Sequence, residues 1–128
     1  MCLSNFRRLL VVVSEIDFSL RLEMTINMRA HNYFVYITTN PKKTTLYVGI
    51  TNDLPRRLHE HFMNSGNAST YAGRYYCYNL IYFERHTQVE HAIEREKEIK
   101  KWSRAKKESL INSQNPFWIF LNQEIQDD

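Results

Sequence analysis

Tyr33 to Arg57 reads YFVYITTNPKKTTLYVGITNDLPRR. Two short runs rich in β-branched and aromatic residues, Tyr33 to Thr39 and Leu46 to Ile50, flank the turn-forming stretch Asn40-Pro41-Lys42-Lys43, the pattern of a β-hairpin. Thr51, Asn52 and Asp53 follow at once, three residues able to cap a helix, and Pro55 falls in the first turn, where a missing N–H costs nothing. The stretch therefore predicts a hairpin that runs directly into a helix. Such geometry sets Tyr36 and Tyr47 on neighbouring strands and brings Arg57 back over the same end of the sheet.

Downstream, Leu54, Leu58 and Phe62 form an apolar stripe on that helix, with Arg57 and His61 on its rim, about 60° to one side at roughly 100° per residue. Asn64 to Arg74, with Gly66 and Gly73, reads as a loop, and Tyr76 to Phe83 as a third strand suited to a central or well-covered position. Thr87-Gln88-Val89-Glu90 has the form of a capping box and opens a second helix, whose buried stripe is Val89, Ala92, Ile93 and Ile99. Glu96 lies in the middle of that stripe, while Glu90, Glu94 and Glu98 point away from it. A carboxylate facing a core is expensive unless it is paired or bound to a cation, so Glu96 marks a site on its own chemistry. A third helix starts near Ser103, includes Leu110 and Ile111 and stops before Asn115-Pro116. Trp102, Phe117 and Trp118 are expected to cover the sheet or the second helix.

Residues 1–30 admit two readings. Leu9 to Val13 and Phe18 to Met24 are strand-like and would extend or back the sheet; alternatively translation starts at Met24 or Met28. The expected organisation is an N-terminal extension over 1–30, a domain over 31–118 and a C-terminal tail over 119–128.

The 128 residues fit one domain, and 43% apolar with 13% aromatic residues are ample for a packed interior. A net charge of +3 and a sequence pI near 8.9 permit nucleic-acid binding without demanding it. Lys97, Lys100, Lys101, Arg104, Lys106 and Lys107 crowd one stretch, although a solvated helix face is the commoner reason for such a run. Two distant cysteines, Cys2 and Cys77, read as reduced cytoplasmic thiols, and the five histidines show no zinc spacing. The apolar run Leu9 to Val13 is far too short for a membrane span and lacks a signal-peptide cleavage pattern, so a cytoplasmic, membrane-free protein is expected.

Val35-Tyr36, Tyr47-Val48-Gly49, an arginine ten residues after the second tyrosine, and a downstream helix carrying Ala92 and Glu96 together resemble the GIY-YIG nuclease domain. The resemblance runs from about Tyr33 to Trp118. It is closest to small single-domain bacterial members, which are similar to the N-terminal nuclease module of the excinuclease subunit UvrC. The expected fold is α+β, a small, mainly antiparallel three-stranded sheet flanked by helices. Three departures stand out. Phe34 replaces the first glycine, Ile50 stands where the UvrC-like domains have lysine, and Glu108 occupies the spacing at which some members carry a late asparagine. Asn112 or Asn115 is near enough to substitute, but that role is not carried over.

The function so implied is metal-dependent endonuclease cleavage of DNA, with repair or recombination intermediates as substrates. Phosphodiester hydrolysis needs an activated water, charge stabilisation at the phosphoryl oxygens and help for the leaving alkoxide. Glu96 would hold one divalent ion, Mg²⁺ or Mn²⁺, since hard cations favour carboxylate oxygen; its rival reading is an ion pair with Lys100, four residues on. Arg57 would donate a planar pair of N–H groups to the phosphate. The resemblance implies that Tyr47 deprotonates or orients the water with Tyr36 beside it, and that His61 stands where the family carries histidine or tyrosine. A free phenol has a pKa of about 10 and an imidazole about 6.5, which leaves His61 a rival base. Arg56, Tyr71, Arg74 and Lys100 are candidate substrate contacts. With no appended DNA-reading domain visible, structure-directed binding or a recruiting protein would supply targeting. Two other classes stay open: a nucleic-acid binding module that cuts weakly or not at all, and a protein-interaction scaffold.

Overall fold

The computed structural model describes residues 32–125. The strand readings at Leu9 to Val13 and Phe18 to Met24, and the alternative starts at Met24 and Met28, lie outside them. The fold is α+β. Strands β1 (Tyr33–Thr39) and β2 (Leu46–Thr51) form the expected hairpin, helices α1 (Leu54–Met63) and α2 (Tyr71–Arg74) follow, then β3 (Asn79–His86), α3 (Val89–Lys100) and α4 (Arg104–Gln114). The sheet is antiparallel throughout, in the order β2-β1-β3.

Of the two positions expected for the third strand, central or well covered, the second holds: Leu80 and Ile81 are fully buried and Tyr82 is 5% exposed. Among the described residues β1, flanked on both sides, is the central strand, and β3 lies at an edge. The start is corrected: β3 begins three residues later than its aromatic composition suggested, because Tyr76 takes a φ of 58° and cannot continue a strand. Around it Cys77 N bonds to Ala72 O at 2.9 Å, so Tyr76 and Cys77 close the turn after α2 instead.

Alternating side chains divide the core between the two sheet faces. On one face Val35, Ile37, Val48, Ile50 and Ile81 pack against Ala92 and Ile99 of α3 and Ile111 of α4, with Trp102 and Trp118 at the margin. On the other, Tyr36 and Leu80 meet Leu54 and Leu58 of α1 and Ile125, with Tyr47 partly covered beside them. Phe117 is 80% exposed and covers neither face, contrary to expectation.

Local chemistry explains the helix ends. Asp53 caps α1 by accepting from Arg56 N, and Pro55 sits in the first turn as predicted. Ser103 caps α4 through Lys106 N. The capping box at α3 does not form: Gln88 is the N-cap and no side chain caps the helix, which shifts Thr87 outside it. Within the expected loop the short α2 is capped by Thr70, and Gly73 is required there, since a Cβ would stand 2.6 Å from Asn67 O and 2.7 Å from Asn64 O.

The chain after α4 is tied to β3. Between Ile37 and Thr38 the β1–β3 register slips by one residue, leaving Ile81 in a bulge. Asn115 Nδ2 donates to the Ile81 carbonyl at 2.9 Å and to Ile119 O at 2.8 Å, while its Oδ1 accepts from Ile119 N at 3.0 Å. Asn122 then takes Leu80 N at 2.8 Å and gives to Tyr78 O at 2.9 Å, satisfying an otherwise open edge. Among the described residues no helix is long and apolar enough to cross a membrane.

Candidate active site

The site grows from Tyr36 in the central strand. Its partner across the β1–β2 ladder is Gly49, and the ring passes over that glycine. A Cβ at position 49 would stand 2.5 Å from Tyr36 Cζ and 2.9 Å from Cε1, so the glycine of the second triplet is where one ring crosses the neighbouring strand. Tyr36 is fully buried. Its hydroxyl lies 2.8 Å from His61 Nε2 and accepts from Arg57 Nε at 3.4 Å.

These contacts fix the proton positions. Burial drives the Tyr36 pKa well above the usual phenol value, the neighbouring Tyr47 adds to this, and the Arg57 charge works against it. Burial, and then the Arg57 charge, push His61 down to about 3. A protonated phenol that accepts from Arg57 has its own hydrogen left for His61, so the imidazole is neutral, protonated at Nδ1 and an acceptor at Nε2. Arg57 stays charged, its pKa raised first by Tyr36. Its Nη1 donates to Glu60 Oε1 at 3.1 Å and its side chain is 29% exposed.

His61 in this place corrects the rim expectation. The buried stripe of α1 is Leu54, Leu58 and His61, whereas Phe62 is 55% exposed and rests edge-on to Tyr78. A hydrogen bond to a buried phenol places the imidazole inward, and a 100° turn carries its neighbour out.

Tyr47 is half-buried at the mouth of the group. Its ring centroid is 5.2 Å from His61 and 6.3 Å from Tyr36, and it stacks on Tyr71 at 6.3 Å with the planes 26° apart. Tyr71 is exposed and meets Tyr75 at 4.9 Å. Arg56 and Arg74 are also exposed: Arg56 pairs with Glu60 at 3.1 Å and Asp53 at 3.5 Å, and Arg74 donates to Ala68 O. Glu60 was missed in the sequence. It pairs with both arginines, and its spacing of three and four residues from them was the available signal.

Glu96 is 1% exposed and held between Ala92 and Ile99 of α3, on the helix that packs over the opposite face of the sheet from Tyr36 and Tyr47. Its charge nonetheless reaches Tyr36, as the smallest of five influences on that phenol. Lys100 Nζ lies 2.7 Å from Glu96 Oε2, so the ion pair posed as the rival to a metal is present. Among the described residues no three His, Cys, Asp or Glu side chains gather around one point. With an ammonium on its oxygen, Glu96 does not fit a bound metal ion in this arrangement.

Two of the three departures, at Ile50 and Glu108, also have structural places. Ile50 is buried in the core. Asn115 is fully used in clamping Ile81 and Ile119, Asn112 accepts from Trp118 Nε1 at 2.7 Å, and Glu108 pairs with Arg104 at 2.8 Å. Cys77 is a free, buried thiol that burial pushes up to about 11.

Comparison with known proteins adds a family to this geometry. Residues 32–109 match the family model described as the GIY-YIG catalytic domain. A UPF0213 protein of Natronomonas pharaonis is 37% identical over 82 residues, 64% of this chain and 93% of that protein. A UPF0213 protein of Bacillus pumilus is 34% identical over 84 residues, covering 66% and 83%, and one of Haloquadratum walsbyi is 36% identical over 78 residues, covering 61% and 84%. No solved structure gives a significant match.

Proposed function

Since this chain belongs to the GIY-YIG catalytic-domain family, a family of nucleases, we propose that it is an endonuclease that hydrolyses DNA phosphodiester bonds with a divalent ion, Mg²⁺ or Mn²⁺. The observation that carries this reading is the hydrogen-bonded group of Tyr36, His61 and Arg57 beside a half-buried second phenol, Tyr47.

In this reading Arg57 receives the scissile phosphate. Its Nε faces Tyr36 and its Nη1 faces Glu60, which leaves Nη2 as a donor to a phosphoryl oxygen from a group that never loses its charge. Tyr47 is the phenol that meets the attacking water, because Tyr36 is wholly buried. His61 is a weak candidate for the base. Its low pKa makes it a poor proton acceptor, and its Nε2 is already occupied by Tyr36. Tyr36 and His61 therefore position Arg57 and Tyr47 rather than react. Tyr71, Arg56, Arg74 and Lys100 are proposed contacts to the substrate backbone, and repair or recombination intermediates in the cytoplasm its source. Phosphate contacts and the shape of the substrate would direct it.

Cleavage of branched or nicked DNA with Mg²⁺ or Mn²⁺ tests the reading. Wild type should cut, and Tyr47→Phe, Arg57→Ala and Glu96→Gln should each lose about a hundredfold or more in rate while keeping their circular dichroism. Equal rates in all four proteins would end the assignment. A second reading, a module that binds nucleic acid and cuts weakly, is favoured by the Lys100 ammonium on Glu96 and by Ile50 in the core. Salt-sensitive DNA binding by a protein that never cuts would select it.

A further inference from the structure

We propose that Tyr71 and Tyr75 form a stacking platform for an unpaired nucleobase next to the scissile phosphate, so that the substrate is a DNA strand with a single-stranded segment at the cut. The proposal deepens the nuclease reading, on which it rests, by naming the state of the strand.

Three observations carry it. First, the two rings are surplus to the fold. Tyr71 opens α2 and Tyr75 follows one turn on, their ring centroids 4.9 Å apart, and neither belongs to the packed core on either face of the sheet. They stay 52% and 42% exposed, which leaves a pair of adjacent aromatic surfaces in water. Second, the rings are continuous with the site. Tyr71 lies at 6.3 Å and 26° from Tyr47, and Tyr47 is edge-on to His61 at 5.2 Å, so a strand held at Arg57 and Tyr47 meets Tyr71 next. Third, the surroundings are basic. Arg74, between the two tyrosines in sequence, is exposed, with Nη2 on Ala68 O at 3.1 Å. Burial raises the Tyr71 pKa, Cys77 and Tyr75 add to this, and the Arg104 charge works against it, which sets that guanidinium near the ring. Arg104 also donates to Thr44 O at 2.7 Å, beside the exposed Lys42 and Lys43, while its partner Glu108 offsets one of these charges. Rings bordered by cations fit a base with its phosphates.

The platform is preformed. Thr70 Oγ1 accepts from Gly73 N at 3.0 Å, Gly66 N bonds to Gly73 O at 2.8 Å and Cys77 N to Ala72 O at 2.9 Å, so α2 is fastened to the loop before it and the turn after it. Little freedom is then lost on binding. In a duplex both faces of a base are covered by its neighbours, whereas an unpaired base offers a face at small cost. Stacking tolerates any base, so the platform selects the state of the strand rather than its sequence. The Tyr71 ring takes the base and leaves its hydroxyl for the backbone contact proposed above.

The test measures binding of the full chain to fluorescently labelled DNA by anisotropy, in chelator so that nothing is cut. The probes are a duplex with a single-stranded overhang and the same duplex with abasic sites in the overhang, which keep the phosphates and remove the bases. Wild type should bind the normal overhang about tenfold more tightly. Tyr71→Ala should lose that preference, Tyr75→Ala should weaken it, and Tyr71→Phe should keep it, since a phenyl face stacks as a phenol does. Tyr71→Leu replaces Tyr71→Ala if the latter fails to fold, and the wild-type comparison stands without either. The proposal is overturned if wild type binds both overhangs equally, if a folded Tyr71→Ala protein still prefers the normal one, or if no probe binds, an outcome that gives the rings to a protein partner. A separate cleavage assay with Mg²⁺ keeps the two ideas apart. Cleavage by a protein indifferent to the bases overturns this inference alone, and base-dependent binding by a protein that never cuts overturns the nuclease reading alone.

Discussion

A ring that lies across a neighbouring strand leaves no room for a side chain beneath it, and Gly49 under Tyr36 is that position. Gly49→Ala forces the phenol off His61 and Arg57. It should cost about 1–3 kcal/mol in urea denaturation, as overpacking does, and should abolish cleavage in the folded protein. The second prediction at this scale follows from His61. Its folded-state pKa, about 3, is below the ordinary 6.5, so between these values the unfolded chain binds the extra proton. Stability is therefore complete above pH 6.5 and falls with acid, by up to about 1.4 kcal/mol per pH unit from this group. His61→Gln should flatten that slope between pH 6.5 and 4.5 in denaturant titrations. A slope as steep as wild type would place the imidazole in solvent.

Among the elements, α3 carries an acidic residue through a core, and its stability depends on the partner one turn on. Glu96→Leu or Lys100→Leu alone should cost about 3–5 kcal/mol, because each removes the opposite charge that stands 2.7 Å from a buried one, whereas the double substitution should regain most of the loss. Equal losses in all three, by chemical denaturation, would mean that the pair is not coupled. What was legible in the sequence at this scale had local causes. Asn40-Pro41 makes a turn, Asp53 and Ser103 cap helices, and Glu96 interrupts an apolar stripe, whatever the rest of the chain does. The unread parts were set from a distance. Tyr76 to Tyr78 have strand-like side chains, yet they close the α2 turn. Phe62 looked like the inward residue until a phenol on β1 took His61. The crossing of Tyr36 over Gly49 depends on strand register, which no spacing within either strand reveals, and the Glu96–Lys100 pair was visible only as one of two options.

For the whole molecule the question is where the substrate sees the protein. The phenols and Arg57 lie on the face covered by α1, and Glu96 comes from the helix over the opposite face. Tyr36, on the α1 face, crosses Gly49 of the neighbouring strand β2. At the other side of the described sheet, the β3 edge is occupied by Asn122.

Because β1 is central although it is the first of the described strands, its two pairings differ in how far the chain must travel. Contact with β2 closes a short turn, while Thr39 meets Asn79 only after a detour of about forty residues through α1 and α2. Closing the longer loop carries the larger entropic penalty, so the hairpin condenses early and docking of β3 is the late step in the folding reaction. In stopped-flow chevrons, Val48→Ala should slow refolding, and Leu80→Ala should mainly hasten unfolding.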